Sequence, residues 1–492
     1  MKRFLRIAGS ALVVILIMLS IIGARLLVWY RDTFGVTFDV LIYTVESPLK
    51  GANTEIFQQA VKYCAPAILL ALVVSVLFIY LVRLSVRKEK RLIRSLPIVM
   101  GGVAAAAFVT LLFLADSTIH AVDFIRSKMD ESTFVEDHYV TVDPSQIVSE
   151  TPRNLIYIYI ESMETSFADT ADGGKQDINY IPNLTQLAYD NVSFSNTDML
   201  GGFYNCNGTG WTAAALFASQ SGVPFLTPIG GGGIWENFDN LTTLGDILYE
   251  KGYYQEFICG SDAAFGGRDI FFREHGDFSI MDYNAAIDKG YIDPDYYVWW
   301  GYEDRILYDI AKEELTQISD THQPFNVTLL TVDTHFEGGY ICDLCEEEYP
   351  EQLANVIKCA DRQILDFVQW CKEQEWYQNT VIVIQGDHPS MSTALIENLD
   401  MSERTTYNCI INAEKDLSSI QVNNRTFVAM DMYPTVLSAM GYTIPENRIS
   451  LGTDLFSDTP TLAEEYGFDH LNDECSKHSQ WFVDNIVWGS DQ

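Results

Sequence analysis

Three uncharged apolar runs open the chain. Ile7–Ala24 lies between Arg6 and Arg25, Cys64–Val82 stops at Arg83, and Ser95–Ala115 stops at Asp116. Each is long enough to cross a hydrocarbon core of about 30 Å as a helix rising ~1.5 Å per residue. A helix in a soluble core keeps a polar face, and these runs have none, so they predict membrane-spanning helices. The first run has no small-residue cleavage site and two further runs follow it. It therefore reads as a retained helix rather than a cleaved signal.

Past Asp116 the pattern changes. Residues 121–150 are polar, with charges at Asp123, Arg126, Lys128, Asp130, Glu131, Glu136 and Asp137. They read as a connector running along the membrane surface. From residue 151 onward, short β-rich runs alternate with helical periodicity. Asn154–Ile160, Tyr254–Gly260, Phe325–Val332 and Thr380–Gly386 are apolar almost throughout, as strands buried on both faces are. Helical patterns cover Asn183–Tyr189, Thr212–Gln220, Gly301–Leu315 and the long amphipathic Leu353–Trp376. This alternation predicts an α/β fold, a mostly parallel sheet flanked by helices. The predicted organisation is a transmembrane region over 1–120 with helices at about 7–24, 64–82 and 95–115, a connector over 121–150, and an outer domain over 151–492. No internal repeat is present, and the low-complexity sequence is confined to Gly230–Gly233.

Charge sharpens this division. The 492 residues carry a formal charge of −36, but residues 1–130 sum to +7 and residues 131–492 to −43. The acidic part has no basic surface to neutralise phosphates, which argues against a nucleic-acid partner. Lys2, Arg3 and Arg6 precede the first run, and Arg83, Arg87, Lys88, Lys90, Arg91 and Arg94 fill the loop between the second and third. The positive-inside rule puts both segments in the cytoplasm, and everything after the third run outside. With 13% aromatic residues and 9 cysteines, collagenous, disordered and small disulfide-scaffold classes are excluded.

In parallel sheets chemistry gathers beyond the carboxyl ends of the strands, which points at Glu161, Asp333–His335 and Asp387–His388. Adjacent Asp387 and His388 offer O and N ligands to a divalent ion, or a hydrogen-bonded loop pair without one. Glu161, just past the first strand, is a third donor or a structural carboxylate. The segment GGFYNCNGTGWTAAALFASQSGVP runs a Gly-rich loop into a helix of small residues. Thr212 stands where that helix begins, where unpaired N–H groups and the helix dipole favour an anion. Its hydroxyl could act as a metal-activated nucleophile or simply cap the helix, and Thr209 is a rival nucleophile. His335 could bind a phosphate oxygen or protonate a leaving alkoxide, or be structural. Arg268 is one of few cations in the acidic part and could hold an anionic substrate or one of the many carboxylates.

At these residues the chain resembles the phosphoglycerol transferase I and lipoteichoic acid synthase family of the alkaline phosphatase/sulfatase superfamily, from about Phe34 to Phe456. NLIYIYIESMETSF resembles the strand ending in a metal-binding Glu, here Glu161. GWTAAALFASQSGVP resembles the nucleophile segment and selects Thr212 over Thr209. FGGRDIFFREHG and TVDTHFEGGY resemble the substrate-binding segments, here Arg268 and His335, and TVIVIQGDHPSM resembles the strand with the Asp-His metal pair, here Asp387 and His388. AMDMYPTVLSAMGY and LGTDLF look like the superfamily's closing helix and turn, and the FDVLIYTVESPLKG loop looks nearer to phosphoglycerol transferase I. Cys259 stands where lipoteichoic acid synthases carry a substrate-contacting His, and the sulfatase Cys/Ser-x-Pro-x-Arg signature is absent.

The resemblance implies an alkaline phosphatase/sulfatase-like fold and a metal-dependent phosphotransferase of the bacterial cell membrane. One divalent ion, Mn2+, would be held by Glu161, Thr212, Asp387 and His388. The donor would be phosphatidylglycerol, and the acceptor a hydroxyl of a glycan or glycerophosphate polymer, through a covalent phospho-threonine. The alternatives are a phosphoethanolamine transferase, another phosphodiesterase or sulfatase-superfamily hydrolase, or a non-catalytic binding protein with a decayed site. Eight cysteines follow the third run, and an even number in an oxidising compartment suggests disulfides. Cys342 and Cys345 could be half a zinc site, but no second CxxC exists, so a disulfide involving that pair is expected, with Cys259 as a free thiol.

Overall fold

A computed structural model of the chain describes residues 2–33, 54–87, 91–149, 151–226, 238, 240–392, 394–397, 399–413 and 415–488. The Phe38–Gly51 loop and Gly230–Gly233 lie outside the described residues. The chain forms two compact units, divided after Arg126.

The first unit holds three long helices, α1 (Lys2–Thr33), α2 (Thr54–Arg87) and α3 (Arg91–Ile119). Their stretches Ile7–Arg31, Gln58–Val86 and Ser95–Ile119 are each long and apolar enough to cross a membrane. The helices outrun the apolar runs because intrahelical hydrogen bonding continues into flanking polar sequence. Arg25, beyond the first run, keeps its guanidinium 3.6 Å from the Tyr63 ring. Few side chains are buried: Ile17, Phe78 and Ala104 form a small core. Small residues let the backbones approach, for a Cβ on Gly23 would lie 2.7 Å from the Leu111 side chain. Leu69, Val76, Ile98 and Phe113 point outward, exposed by 65–76%, as a surface facing lipid tails requires.

The second unit is built on a six-stranded sheet. The strands are β1 (Asn154–Ile160), β2 (Tyr254–Cys259), β3 (Ser279–Met281), β4 (Phe325–Leu330), β5 (Thr380–Gly386) and β6 (Asn408–Ile411), in the spatial order β3-β2-β4-β1-β5-β6. All neighbours pair parallel except β5 with β6. β1 is central and every residue of it is buried, which explains why its sequence does not alternate. The flanking helices include α4 (Pro182–Asp190), α5 (Thr212–Ser221), α6 (Asp304–Asp320), α7 (Gln352–Lys372) and α8 (Met432–Ala439).

Expected and observed bounds differ most at two helices, α6, which runs on to Asp320 rather than Leu315, and α7. α6 begins at Asp304 rather than Gly301, because Gly301 sits at φ 153° in a turn whose amide bonds Val298. α7 ends at Lys372 rather than Trp376. The chain leaves the helix axis there, and Trp376 comes edge-on to Phe325 at 5.7 Å. The segment read as a connector also differs. From Ser127 it is part of the second unit, with Phe134, Val135, Val142 and Ile147 buried. Val140 exchanges backbone hydrogen bonds with Ser450, and Thr443 donates to Val148.

Candidate active site

The register of the three central strands assembles the site. Ile160 pairs with Gly386 and Tyr159 with Leu330, so β1, β5 and β4 end side by side. Glu161, the Asp387–His388 pair and the Thr331–His335 loop therefore leave the sheet at one edge. Ser162 follows at φ 57°, a conformation L-residues seldom hold. There its amide donates to Asp387 Oδ1 at 2.7 Å and its hydroxyl to Glu161 Oε1 at 2.8 Å. Thr334 donates to the Glu161 carbonyl at 2.5 Å.

Thr212 is the first residue of α5, and Trp211, in extended conformation, is the N-cap with no side-chain cap. The Thr212 hydroxyl does not cap the helix. It donates to Glu161 Oε2 at 3.2 Å and lies 3.4 Å from His388 Nε2. The rival Thr209 is fully buried and donates to the Cys206 carbonyl at 2.8 Å, away from the carboxylates. His388 Nε2 is 3.5 Å from both Glu161 Oε1 and Asp387 Oδ2. With Nδ1 donating to the Pro389 carbonyl at 2.9 Å, Nε2 presents its lone pair to this space.

Glu161, Asp387 and His388 thus bring one ligand atom each within 4.8 Å of one another. They are nearly or fully buried, and Asp387 Oδ2 has no hydrogen-bond partner. Two buried carboxylates, an imidazole nitrogen and a hydroxyl make a donor set that fits one divalent cation. The electrostatics of the cluster agree. Burial, then the neighbouring Glu161, pushes the Asp387 carboxyl up to about 7. Burial also opposes ionisation of Glu161, but His335 and His388 outweigh it and hold its carboxyl below the ordinary range. Burial resists the charged form of His388, yet Asp387 and Glu161 raise it.

Arg268 and His335 approach the same place. Arg268 is 7% exposed and uses Nε on the Phe265 carbonyl and Nη2 on Ser261 Oγ and the Asp262 carbonyl. The alternative reading, a salt bridge to a carboxylate, is not made among the described residues. His335 holds Nδ1 2.7 Å from the Phe336 carbonyl and tilts against the Trp300 ring at 4.9 Å. Burial lowers its pKa, while the Glu161 charge opposes that shift. Asp333, at the same strand end, turns away from the cluster. Its Oδ1 accepts the Asp304 amide at 3.1 Å, and Asp304 accepts the amides of Val332 and Asp333.

Two supports escaped the sequence reading. Asp304 pins the loop after β4. Arg404 makes a bidentate pair with fully buried Glu164 at 2.8 and 2.9 Å and bonds the Ser390 carbonyl, which fixes the chain after His388. Glu164 and Arg404 are 240 residues apart, so no local spacing could have joined them. The cysteine expectation is corrected: all nine are free thiols, and Cys359 of α7 stands beside Cys342 and Cys345. Cys259 is a buried free thiol as expected.

Comparison with known proteins agrees with this fold. The Sulfatase family model matches residues 153–442. A phosphoglycerol transferase I from Xanthomonas campestris pv. campestris is 31% identical over 69% of this chain and 48% of its own length. The chain thus spans about half the length of the curated relatives it matches. Among solved structures, the lipoteichoic acid synthase LtaP from Listeria monocytogenes superposes with a TM-score of 0.51 at 19% identity, covering 66% of this chain and 80% of that one. The lipooligosaccharide phosphoethanolamine transferase A from Neisseria meningitidis gives 0.52 at 14% identity, covering 87% and 84%. These structural likenesses show the fold. With the matched family model spanning the whole sheet and every residue of the cluster, the chain belongs to the sulfatase family within the alkaline phosphatase/sulfatase superfamily.

Proposed function

We propose that the protein is a membrane-anchored phosphoglycerol transferase. It moves glycerophosphate from phosphatidylglycerol to a hydroxyl of a cell-envelope glycan or glycerophosphate polymer, outside the cell membrane. One observation carries the reading: the Thr212 hydroxyl, at the amino end of a buried helix, lies 3.2 Å from Glu161 and 3.4 Å from His388 rather than capping that helix. The relatives named phosphoglycerol transferase I support the donor.

Glu161, Thr212, Asp387 and His388 would hold one divalent ion, Mn2+ in this reading. When bound, that ion lowers the pKa of the hydroxyl and draws charge from the phosphoryl oxygens. Thr212 Oγ attacks the phosphodiester in line. A new bond forms between Thr212 Oγ and phosphorus, the bond to the diacylglycerol oxygen breaks, and diacylglycerol leaves with a proton. The first-turn amides of α5 face the transferring phosphoryl group, where the helix dipole favours negative charge. Arg268 binds a phosphoryl oxygen or the glycerol, and buried His335, kept neutral with Nδ1 donating to the Phe336 carbonyl, presents Nε2 to accept from a glycerol hydroxyl. The acceptor hydroxyl then displaces Thr212 from phosphorus and restores its hydroxyl.

Mass spectrometry of the Thr212 peptide after incubation with phosphatidylglycerol and Mn2+ tests this. A glycerophosphate adduct on Thr212 is expected, with diacylglycerol release falling by about 10³-fold or more in Thr212→Ala. An unmodified Thr212 in a chain that still releases diacylglycerol overturns it. In a panel of donor lipids, a phosphoethanolamine adduct in preference would reassign the head group.

A further inference from the structure

The loop that leaves β4 through His335 continues into the turn Cys342-Asp-Leu-Cys345, whose Cys345 amide bonds the Cys342 carbonyl at 3.0 Å. Helix α7 brings Cys359 against this turn. Cys342 Sγ lies 3.7 Å from Cys345 Sγ and 3.9 Å from Cys359 Sγ, and the three sulfurs fall within 4.8 Å of one another. No bond joins them. Ligands at about 2.3 Å around a tetrahedral zinc ion stand ~3.8 Å apart. The observed separations match that edge, and three soft donors with no carboxylate among them suit zinc rather than Mn2+ or Mg2+.

A second observation points the same way. Gln363, one turn along α7 from Cys359, is 6% exposed. Its Nε2 lies 3.5 Å from Cys359 Sγ and 3.9 Å from Cys342 Sγ, while its Oε1 is buried without a partner. The two ends of an amide are assigned from their surroundings. Turned over, the unpartnered oxygen faces the sulfurs, where a cation held by the thiolates satisfies it. Arg362 crosses the outside of the turn, donating to the Leu344 carbonyl at 2.9 Å and pairing with Glu346 at 3.1 Å. Its positive charge offsets the net negative charge of a tris-thiolate zinc centre.

We propose that Cys342, Cys345 and Cys359 form a structural zinc site, with the Gln363 amide oxygen as fourth ligand. The ion would clip the His335 loop to α7. The site is separate from the Glu161–Asp387–His388 cluster and does not depend on the activity proposed above.

Cobalt substitution tests it on the full-length chain in detergent. The reduced protein is titrated with Co2+, then with Zn2+. A thiolate-to-cobalt charge-transfer band and intense visible bands of tetrahedral coordination are expected, saturating at one equivalent and lost on adding Zn2+. Zn2+ should slow alkylation of these thiols by about tenfold or more. The bands should persist in Asp387→Asn, which weakens only the other cluster, and vanish in Cys359→Ser with unchanged far-ultraviolet circular dichroism. Two wild-type results, needing no variant to fold, overturn the proposal. One is cobalt bound without a thiolate band. The other is a disulfide between any two of the three cysteines in chain isolated without reductant.

Discussion

At the scale of single residues, Asp387 decides how the cluster meets a cation. Burial, then the neighbouring Glu161, pushes its carboxyl up to about 7, far above an ordinary aspartate. A cation binds the ionised form, so below that pH it must displace a proton. Protonated His388 must lose its proton too, so Mn2+ affinity should fall at least tenfold per pH unit below pH 7. Calorimetric titration at pH 6 and 8, in buffers of different ionisation enthalpy, should show proton release on binding at pH 6 only; equal affinity and no release at pH 6 would contradict the arrangement. Glu161, Asp387 and His388 leave the sheet at one edge, and each was legible as the residue just past an apolar run that stops. The choice of Thr212 over Thr209 is different in kind. Spacing gave both, and only the position of Trp211 as N-cap turns the Thr212 hydroxyl away from the helix and onto Glu161.

At the scale of elements, the end of β5 is tightly constrained. A Cβ on Gly386 would lie 1.9 Å from the Met163 carbonyl and 2.7 Å from the Thr406 methyl. Gly386→Ala must push β5 away from the residues after β1, which moves Asp387 relative to Glu161. A loss of about 2 kcal/mol or more in denaturant unfolding is expected, together with weaker Mn2+ binding; wild-type stability would show that the strand end tolerates the shift. Four of the six strands were legible because fully buried parallel strands must be apolar without alternation; the short β3 and the antiparallel edge strand β6 were not read. The helix ends were less so. α6 starts after a glycine turn closed on Val298, and α7 stops where Trp376 meets Phe325, distant in the sequence.

At the scale of the whole molecule, two units of opposite character share one chain. The first exposes leucine, valine and phenylalanine along helices that can span a bilayer, and the second holds the acidic sequence around a buried sheet. Flanking charge predicts that the second unit faces outward. Protease added to intact spheroplasts of an expressing bacterium should digest the second unit and spare a tag placed in the Arg83–Arg94 loop. The reverse pattern would put the site on the cytoplasmic side.

The sequence alone determined the strand–helix alternation, the apolar runs and the strand-end position of Glu161, Asp387 and His388, because burial and secondary structure impose local patterns. Tertiary structure alone decided which groups share a space. Thr212 is 51 residues from Glu161, Arg404 is 240 from Glu164 and Cys359 is 17 from Cys342. Their meetings depend on strand order and helix packing, which no run of neighbouring residues records.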